Sequence, residues 1–209
     1  MFNIITPLAR TENIDKLIGS LSTHNVKWHV ITDKDSNVEF EPSKEWMAHS
    51  ICPNNEIKFW ERCNFSINWW LDNTQINDDE YYCILNDDDS YEENFFKKLK
   101  ESIEWSNSIG SYNDLIICSM KRGNTTPDGV LPERRHGTHT LIAEPNNMTV
   151  GGVGVEQFFV KGKILKNHRL PLTVAGDGEL ISLLVRTYGA MYVPNIYVLF
   201  NYFEPGRWS

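Results

Sequence analysis

Three consecutive carboxylates, Asp87-Asp88-Asp89, follow Asn86 and the apolar run Tyr81-Tyr82-Cys83-Ile84-Leu85. Adjacent acids repel one another at neutral pH, so the cluster needs water, a hard cation or hydrogen-bond donors to offset that repulsion. One reading is a solvated turn that caps a helix beginning near Glu92. The other is a cation site, because Mg²⁺ or Mn²⁺ uses few protein carboxylates and completes its shell with water and substrate phosphate. Delivery of the acids by a buried strand favours the second reading. In a chain of net charge -8, a metal-bridged diphosphate is then the natural ligand, since the cation reverses the local sign. Another acid stands out at Gly176-Asp177-Gly178, just ahead of Leu180, Leu183, Leu184 and Tyr188 at helical spacing. Its flanking glycines allow close backbone approach to a ligand. Asp177 there either caps the helix or stands close to a bound ligand at the helix N-terminus.

Other common motifs fail on spacing. A dinucleotide fingerprint opening at Gly152-Val153-Gly154 would need its third glycine at Gln157, and a P-loop ending at Gly162-Lys163 would need its first glycine at the same Gln157. A calcium-binding helix-loop-helix starting at Asp87 would need glycine at Glu92 and a bidentate Glu at Lys98. His136 and His139 form no zinc-hydrolase pattern. The cysteines Cys52, Cys63, Cys83 and Cys118 are isolated, so neither a disulfide framework nor a zinc site is expected.

The elements that must carry these groups alternate. Phe2-Asn3-Ile4-Ile5 reads as a strand ended by Thr6-Pro7, and Ile14, Leu17, Ile18 and Leu21 mark the apolar face of a helix. Val26 to Ile31 reads as a second strand stopped by Thr32-Asp33, with Lys34 to Ser43 as loop. A helix from near Arg62 to Leu71 precedes the strand Tyr81 to Leu85, and a helix from Glu92 to Trp105 precedes the strand Leu115 to Cys118. This is the pattern of an α/β layer structure with a mainly parallel sheet. Ligands of such sheets bind beyond the carboxyl ends of the strands, so Thr6 to Arg10, Asp33 and Asp87 to Asp89 should converge on one crevice. Lys121 to His139, with Arg122, Arg134, Arg135 and His136, reads as a long loop that could close over phosphates. Beyond it, strands are expected at Thr140 to Ala143, Val153 to Val160, Met191 to Val193 and Ile196 to Phe200, and a helix at Gly178 to Tyr188.

Size and charge bound the answer. The 209 residues suffice for one sizeable core, and 20 basic against 28 acidic residues argue against a broad nucleic-acid footprint. No apolar run approaches the roughly 18 residues of a membrane span, no signal peptide is evident, and a cytoplasmic protein is expected.

With these residues in view, the chain resembles the nucleotide-sugar-dependent glycosyltransferases of the GT-A fold, in the manner of compact, family 2-like viral and bacterial members. The resemblance rests on Ile4-Ile5-Thr6-Pro7-Leu8-Ala9-Arg10, Val30-Ile31-Thr32-Asp33, Arg62-Cys63-Asn64, Ile84 to Tyr91 and Gly176-Asp177-Gly178-Glu179-Leu180, in that order along the chain. It implies a single α/β GT-A domain over residues 1–209 with a mixed, mainly parallel sheet flanked by helices. Residues 1–118 would form the nucleotide-binding part and 119–209 the acceptor side. By resemblance, Thr6, Pro7 and Arg10 line the base and ribose, Asp33 bonds the base, and Arg62 lies near sugar or phosphates. Asp87 and Asp88 face ribose and donor sugar, and Asp89 coordinates Mn²⁺ or Mg²⁺. Asn86 stands where the family often has Asp, which leaves the metal ligand open between Asp88 and Asp89. Asp177 would be the general base of an inverting transfer from a UDP-sugar to a glycan or small hydroxyl acceptor, with Glu156 and Glu179 as alternatives. A late histidine ligand is missing, with water or Asn201 in its place. Arg207 and Trp208 could meet diphosphate and sugar. The competing expectations are a retaining transferase on the same fold and a non-catalytic nucleotide-sugar-binding module.

Overall fold

Strands whose residues are apolar on both faces need a layer of helices on each side. The computed structural model, which describes residues 1–22, 25–34, 38–53, 59–111, 113–122, 140–147, 153–173 and 175–200, has this arrangement. In chain order it contains β1 (Phe2–Pro7), α1 (Ile14–Leu21), β2 (Val26–Asp33), β3 (Met47–Cys52), α2 (Phe59–Asn73), β4 (Tyr81–Ile84), β5 (Ser90–Tyr91) and α3 (Phe95–Ser108). It continues with β6 (Leu115–Arg122), β7 (Thr140–Leu141), β8 (Phe158–Lys161), α4 (Gly162–Leu165), α5 (Gly176–Tyr188) and β9 (Met191–Phe200). The sheet runs β3-β2-β1-β4-β8-β6-β9-β5, with β7 beside β6. Six of its nine described strands, β1, β2, β3, β4, β6 and β9, point the same way. The antiparallel β8 lies between β4 and β6.

Alternation along each strand sorts the core into two layers. Ile4, Val30, Cys83, Ile116 and Phe159 pack on one face with Leu17 and Leu21 of α1 and Phe95, Phe96 and Leu99 of α3. Their chain neighbours Ile5, Ile31, Ile84, Ile117 and Phe158 pack on the other face with Ile67, Trp70 and Leu71 of α2 and Leu180, Ile181 and Leu184 of α5. On the first face, Tyr91 sits among Phe95, Phe96 and Phe159 at ring separations of 4.4, 4.8 and 6.2 Å. Its hydroxyl lies 3.2 Å from the Cys83 thiol. The acid loop is therefore tethered at both ends, by β4 before it and by this aromatic nest after it. Among the described residues no helix is long and apolar enough to cross a membrane.

The structure departs from the sequence reading where pairing is non-local. The edge strand β3 and the two-residue β5 were not expected; β5 exists because Ser90 and Tyr91 pair with Leu199 and Val198. The expected strand Val153 to Val160 is a 3-10 turn at Val155–Gln157 followed by β8, since the Gln157 side chain folds back onto the Gly154 amide (3.0 Å) and also donates to the Cys118 carbonyl (3.0 Å). β6 extends through Arg122, which takes Lys121 and Arg122 out of the expected loop. The two late strands are one, β9, with a three-residue bulge between Val193 and Tyr197 opposite Cys118 and Ser119.

One buried polar chain crosses the second layer. His29 Nε2 and Asn3 Oδ1 are 3.0 Å apart, Asn3 Nδ2 donates to Glu80 Oε2 at 2.9 Å, and the imidazole lies 4.8 Å from the Trp70 ring. Burial, aided by Lys27, pushes the His29 pKa down to about 4. The unfolded chain, at about 6.5, therefore takes up the proton first. This contribution to stability is complete above pH 6.5 and is lost as pH falls through about 4. Urea unfolding across this window is expected to show an acid-side loss of about 3 kcal/mol that Arg or Lys substitutions elsewhere leave intact and His29→Gln removes. Equal acid slopes in wild type and variant would contradict it.

Candidate functional site

Because β1, β2 and β4 are parallel, their carboxyl ends share one edge. The backbone leaves β1 through Leu8, whose N–H donates to Ile31 O at 2.8 Å, and turns toward the end of β4. There the Asp87 carboxylate receives it. One oxygen accepts the N–H groups of Ala9 and Arg10, each at 2.7 Å, and the other is held by the Arg10 guanidinium. Asn13, fully buried, donates from Nδ2 to the Asp87 carbonyl at 3.0 Å. Asp87 is thus spent on joining two strand ends. The same guanidinium nitrogen is 3.4 Å from Asp88 Oδ2. Burial raises the Asp88 pKa; Arg10 pulls it back, and neighbouring Asp87 pushes it further up. Burial works against the Arg10 charge as well, but Asp87 and Asp88 leave its pKa above the ordinary value. Asp89 is fully buried and accepts from Asn86 Nδ2 at 3.1 Å, while its N–H donates to the Asn86 carbonyl at 3.2 Å.

α2 forms the next wall. Cys63 is exposed, yet the protein around it pushes its thiol up to about 11, with Asp87 the largest charge acting on it and Arg10 opposing. One residue on, Asn64 Nδ2 donates to Pro171 O (2.9 Å) and Thr173 O (3.3 Å). One turn further, Asn68 both donates to Leu170 O and accepts from Leu170 N–H, each at 2.8 Å. These two amides clamp the segment leading into α5. A Cβ at Gly176 would lie 2.1 Å from Pro171 O and 2.8 Å from Asn64 Nδ2, so only glycine fits. Asp177 follows in the first turn of α5, half-buried, with Oδ1 accepting the Gly178 N–H at 2.7 Å; burial raises its pKa and that hydrogen bond lowers it. Of the alternative bases, Glu156 is 1% exposed, with its carboxylate against Gly154 where a Cβ would be 2.3 Å away, and Glu179 is exposed. Asp177 lies between these extremes.

The other expected residues fall as follows. Thr6 is fully buried and its hydroxyl accepts from the Trp28 indole at 2.9 Å, so it faces the core. Pro7 is buried at the end of β1, Asp33 is half-buried at the end of β2, and Arg62 is exposed on α2 beside Cys63. Residues 123–139, with Arg134, Arg135 and His136, and Asn201, Arg207 and Trp208 lie outside the described residues. Sequence reasoning missed Asn13, Asn64 and Asn68 as positioning groups; the Asn-x-x-x-Asn spacing on one helix face is the signal that could have found the last two. A cavity of about 500 Å³ between α3 and β9, lined in part by Trp105, Tyr192 and Asn195, contains none of the expected residues. Among the described residues no three His, Cys, Asp or Glu side chains cluster as a ready-made cation site.

No family model matches the sequence, and no curated protein matches it. Among solved structures the chain is similar to residues 1–349 of TarS from S. aureus, with a TM-score of 0.55 and 17% identity over 96% of this chain and 58% of that one. A likeness at this identity shows the fold, a single-domain GT-A-type α/β arrangement with helices on both faces of a mixed, mainly parallel sheet. The chain spans under two thirds of that structure. A more distant likeness, to the 2-C-methyl-D-erythritol 4-phosphate cytidylyltransferase IspD of Francisella tularensis, has a TM-score of 0.43 and 9% identity over 79% of this chain and 75% of that one, too remote to bear on this chain.

The acids differ in what they do for the fold. Asp87→Ala strands two backbone donors and a guanidinium, and is expected to cost about 2–3 kcal/mol in urea unfolding. Asp88→Asn removes a charge that burial disfavours, and is expected to leave stability unchanged or raised in the same measurement. Equal losses in both variants would refute this division.

Proposed function

We propose that the chain is a metal-dependent glycosyltransferase that moves a sugar from a nucleoside-diphosphate donor, a UDP-sugar, to a hydroxyl acceptor with inversion. The observation that carries this reading is the divided acid cluster: Asp87 committed to the fold, Asp89 buried on Asn86, and Asp88 left under-neutralised beside Arg10 at the strand ends. A buried carboxylate with one partial counter-charge is suited to a hard cation, and Mn²⁺ or Mg²⁺ accepts one or two carboxylate oxygens with the rest of its shell from phosphate and water. On this reading Asp88, rather than Asp89, holds the metal. The bound ion supplies neutralisation of the departing diphosphate.

The protein's own groups do the rest. Asp33, at the end of β2, would accept from the base, and Arg10 presents a planar guanidinium suited to phosphate oxygens. Asp177 takes the proton from the attacking hydroxyl at its carboxylate, which the Gly178 N–H orients through Oδ1. The raised proton affinity of a half-buried carboxylate favours that transfer. The Asn64 and Asn68 clamp ties the segment leading into α5 to α2, and the Asp87 charge acts on Cys63 of the same helix.

Calorimetry with UDP is expected to show binding that requires Mn²⁺, is lost in Asp88→Ala and persists in Asp177→Asn. The latter should lower turnover at least 100-fold with any competent donor. Cys63 offers an independent readout, because the other three cysteines are buried: UDP with Mn²⁺ should slow its alkylation by a maleimide. Metal-independent UDP binding that leaves Cys63 fully reactive would sink the proposal.

A further inference from the structure

The placement of Arg10 assigns it a role beyond contact with the nucleotide. Its guanidinium sits on Asp87 and lies 3.4 Å from an oxygen of Asp88. Both acids and the arginine are at least partly withdrawn from water, with side-chain exposures of 30% for Arg10, 5% for Asp87 and 10% for Asp88, so the charges act on one another with little screening. Among the described residues this is the one cation that an ion pair places on Asp88. A divalent ion on the same carboxylate would meet a positive group already at that oxygen. Like charges at such separations cost several kcal/mol at the effective dielectric of a partly buried site.

The backbone is independent of this contact. Asp87 keeps the Ala9 and Arg10 N–H bonds whatever the arginine side chain does, so the guanidinium is free to leave without releasing the loop. A diphosphate gives it somewhere to go, since phosphate oxygens accept a guanidinium bidentately.

Resting on the transferase reading above, we infer that Arg10 is a resident counter-cation: it neutralises Asp87 and Asp88 in the free protein, opposes binding of a metal ion alone, and moves to the diphosphate when donor and metal arrive. Metal and nucleotide are therefore coupled, each strengthening the other by the same factor, as linkage requires. Arg10 acts here as a positioning residue, through the charge at Asp88.

The test is a thermodynamic cycle with Mn²⁺ and UDP as probes, free Mn²⁺ being followed by its electron paramagnetic resonance and UDP by calorimetry. In the wild type, saturating UDP is expected to tighten Mn²⁺ binding at least tenfold. Arg10→Gln should bind Mn²⁺ alone at least fivefold more tightly than wild type, weaken UDP, and bring the coupling factor toward one. Arg10→Lys, which keeps the charge, should bind Mn²⁺ alone as weakly as wild type. A structural role for Arg10 predicts only losses, so the gain in metal affinity is the discriminating sign. Independent binding of Mn²⁺ and UDP in the wild type overturns the inference without any variant. So does an Arg10→Gln protein that binds UDP in a metal-dependent way but takes Mn²⁺ alone no more tightly. Absence of metal-dependent UDP binding in the wild type overturns the transferase reading and this inference together.

Discussion

A single carboxylate joins the ends of two strands. Asp87 gathers two consecutive backbone N–H groups and a guanidinium from the segment after β1, and so fixes the end of one strand to the end of another. Charge-assisted bonds of this kind are about twice as strong as neutral ones, and here they act where backbone donors beyond the last ladder bond need partners. With the loop fixed, the Arg10 guanidinium lies beside Asp87 and Asp88. The electrostatics of Asp88 follow from that geometry, because the guanidinium is shared and Asp87 has the larger part of it.

The rest of the fold holds this junction on both sides. Tyr91 locks the chain after the acids into an aromatic cluster, and β5 stitches it to β9. On the opposite face, α2 is clamped to the approach to α5 through Asn64 and Asn68, which carries Asp177 with it. A site made of groups from four separate segments thus rests on helices and strands packed to both faces of one sheet. Within it, burial raises the Asp88 pKa and the shared Arg10 guanidinium only partly offsets that.

Much of this was legible in the sequence, and the boundary is instructive. The alternation of strand-like apolar runs with helical periodicity correctly implied an α/β layer structure with a mainly parallel sheet, and Asp87 to Asp89 follow the carboxyl end of β4 as that reading has it. What could not be read was set by partners distant in the chain. β3 and β5 are strands only because β2 and β9 pair with them. Thr6 stands in a motif that suggested a ligand contact, but the Trp28 indole, 22 residues later, draws its hydroxyl inward. The division of labour among three identical side chains was likewise invisible, since it depends on which oxygen meets Ala9, Arg10 or Asn86 in space.

Gly176 illustrates how such an architecture constrains variation. The carbonyl of Pro171 and the amide of Asn64 occupy the volume that any side chain would need there. Even alanine must push the start of α5 away from α2, moving Asp177 without altering its chemistry. Tolerance of substitution at that locus is therefore governed by ångströms of clearance, at a position that carries no functional group of its own.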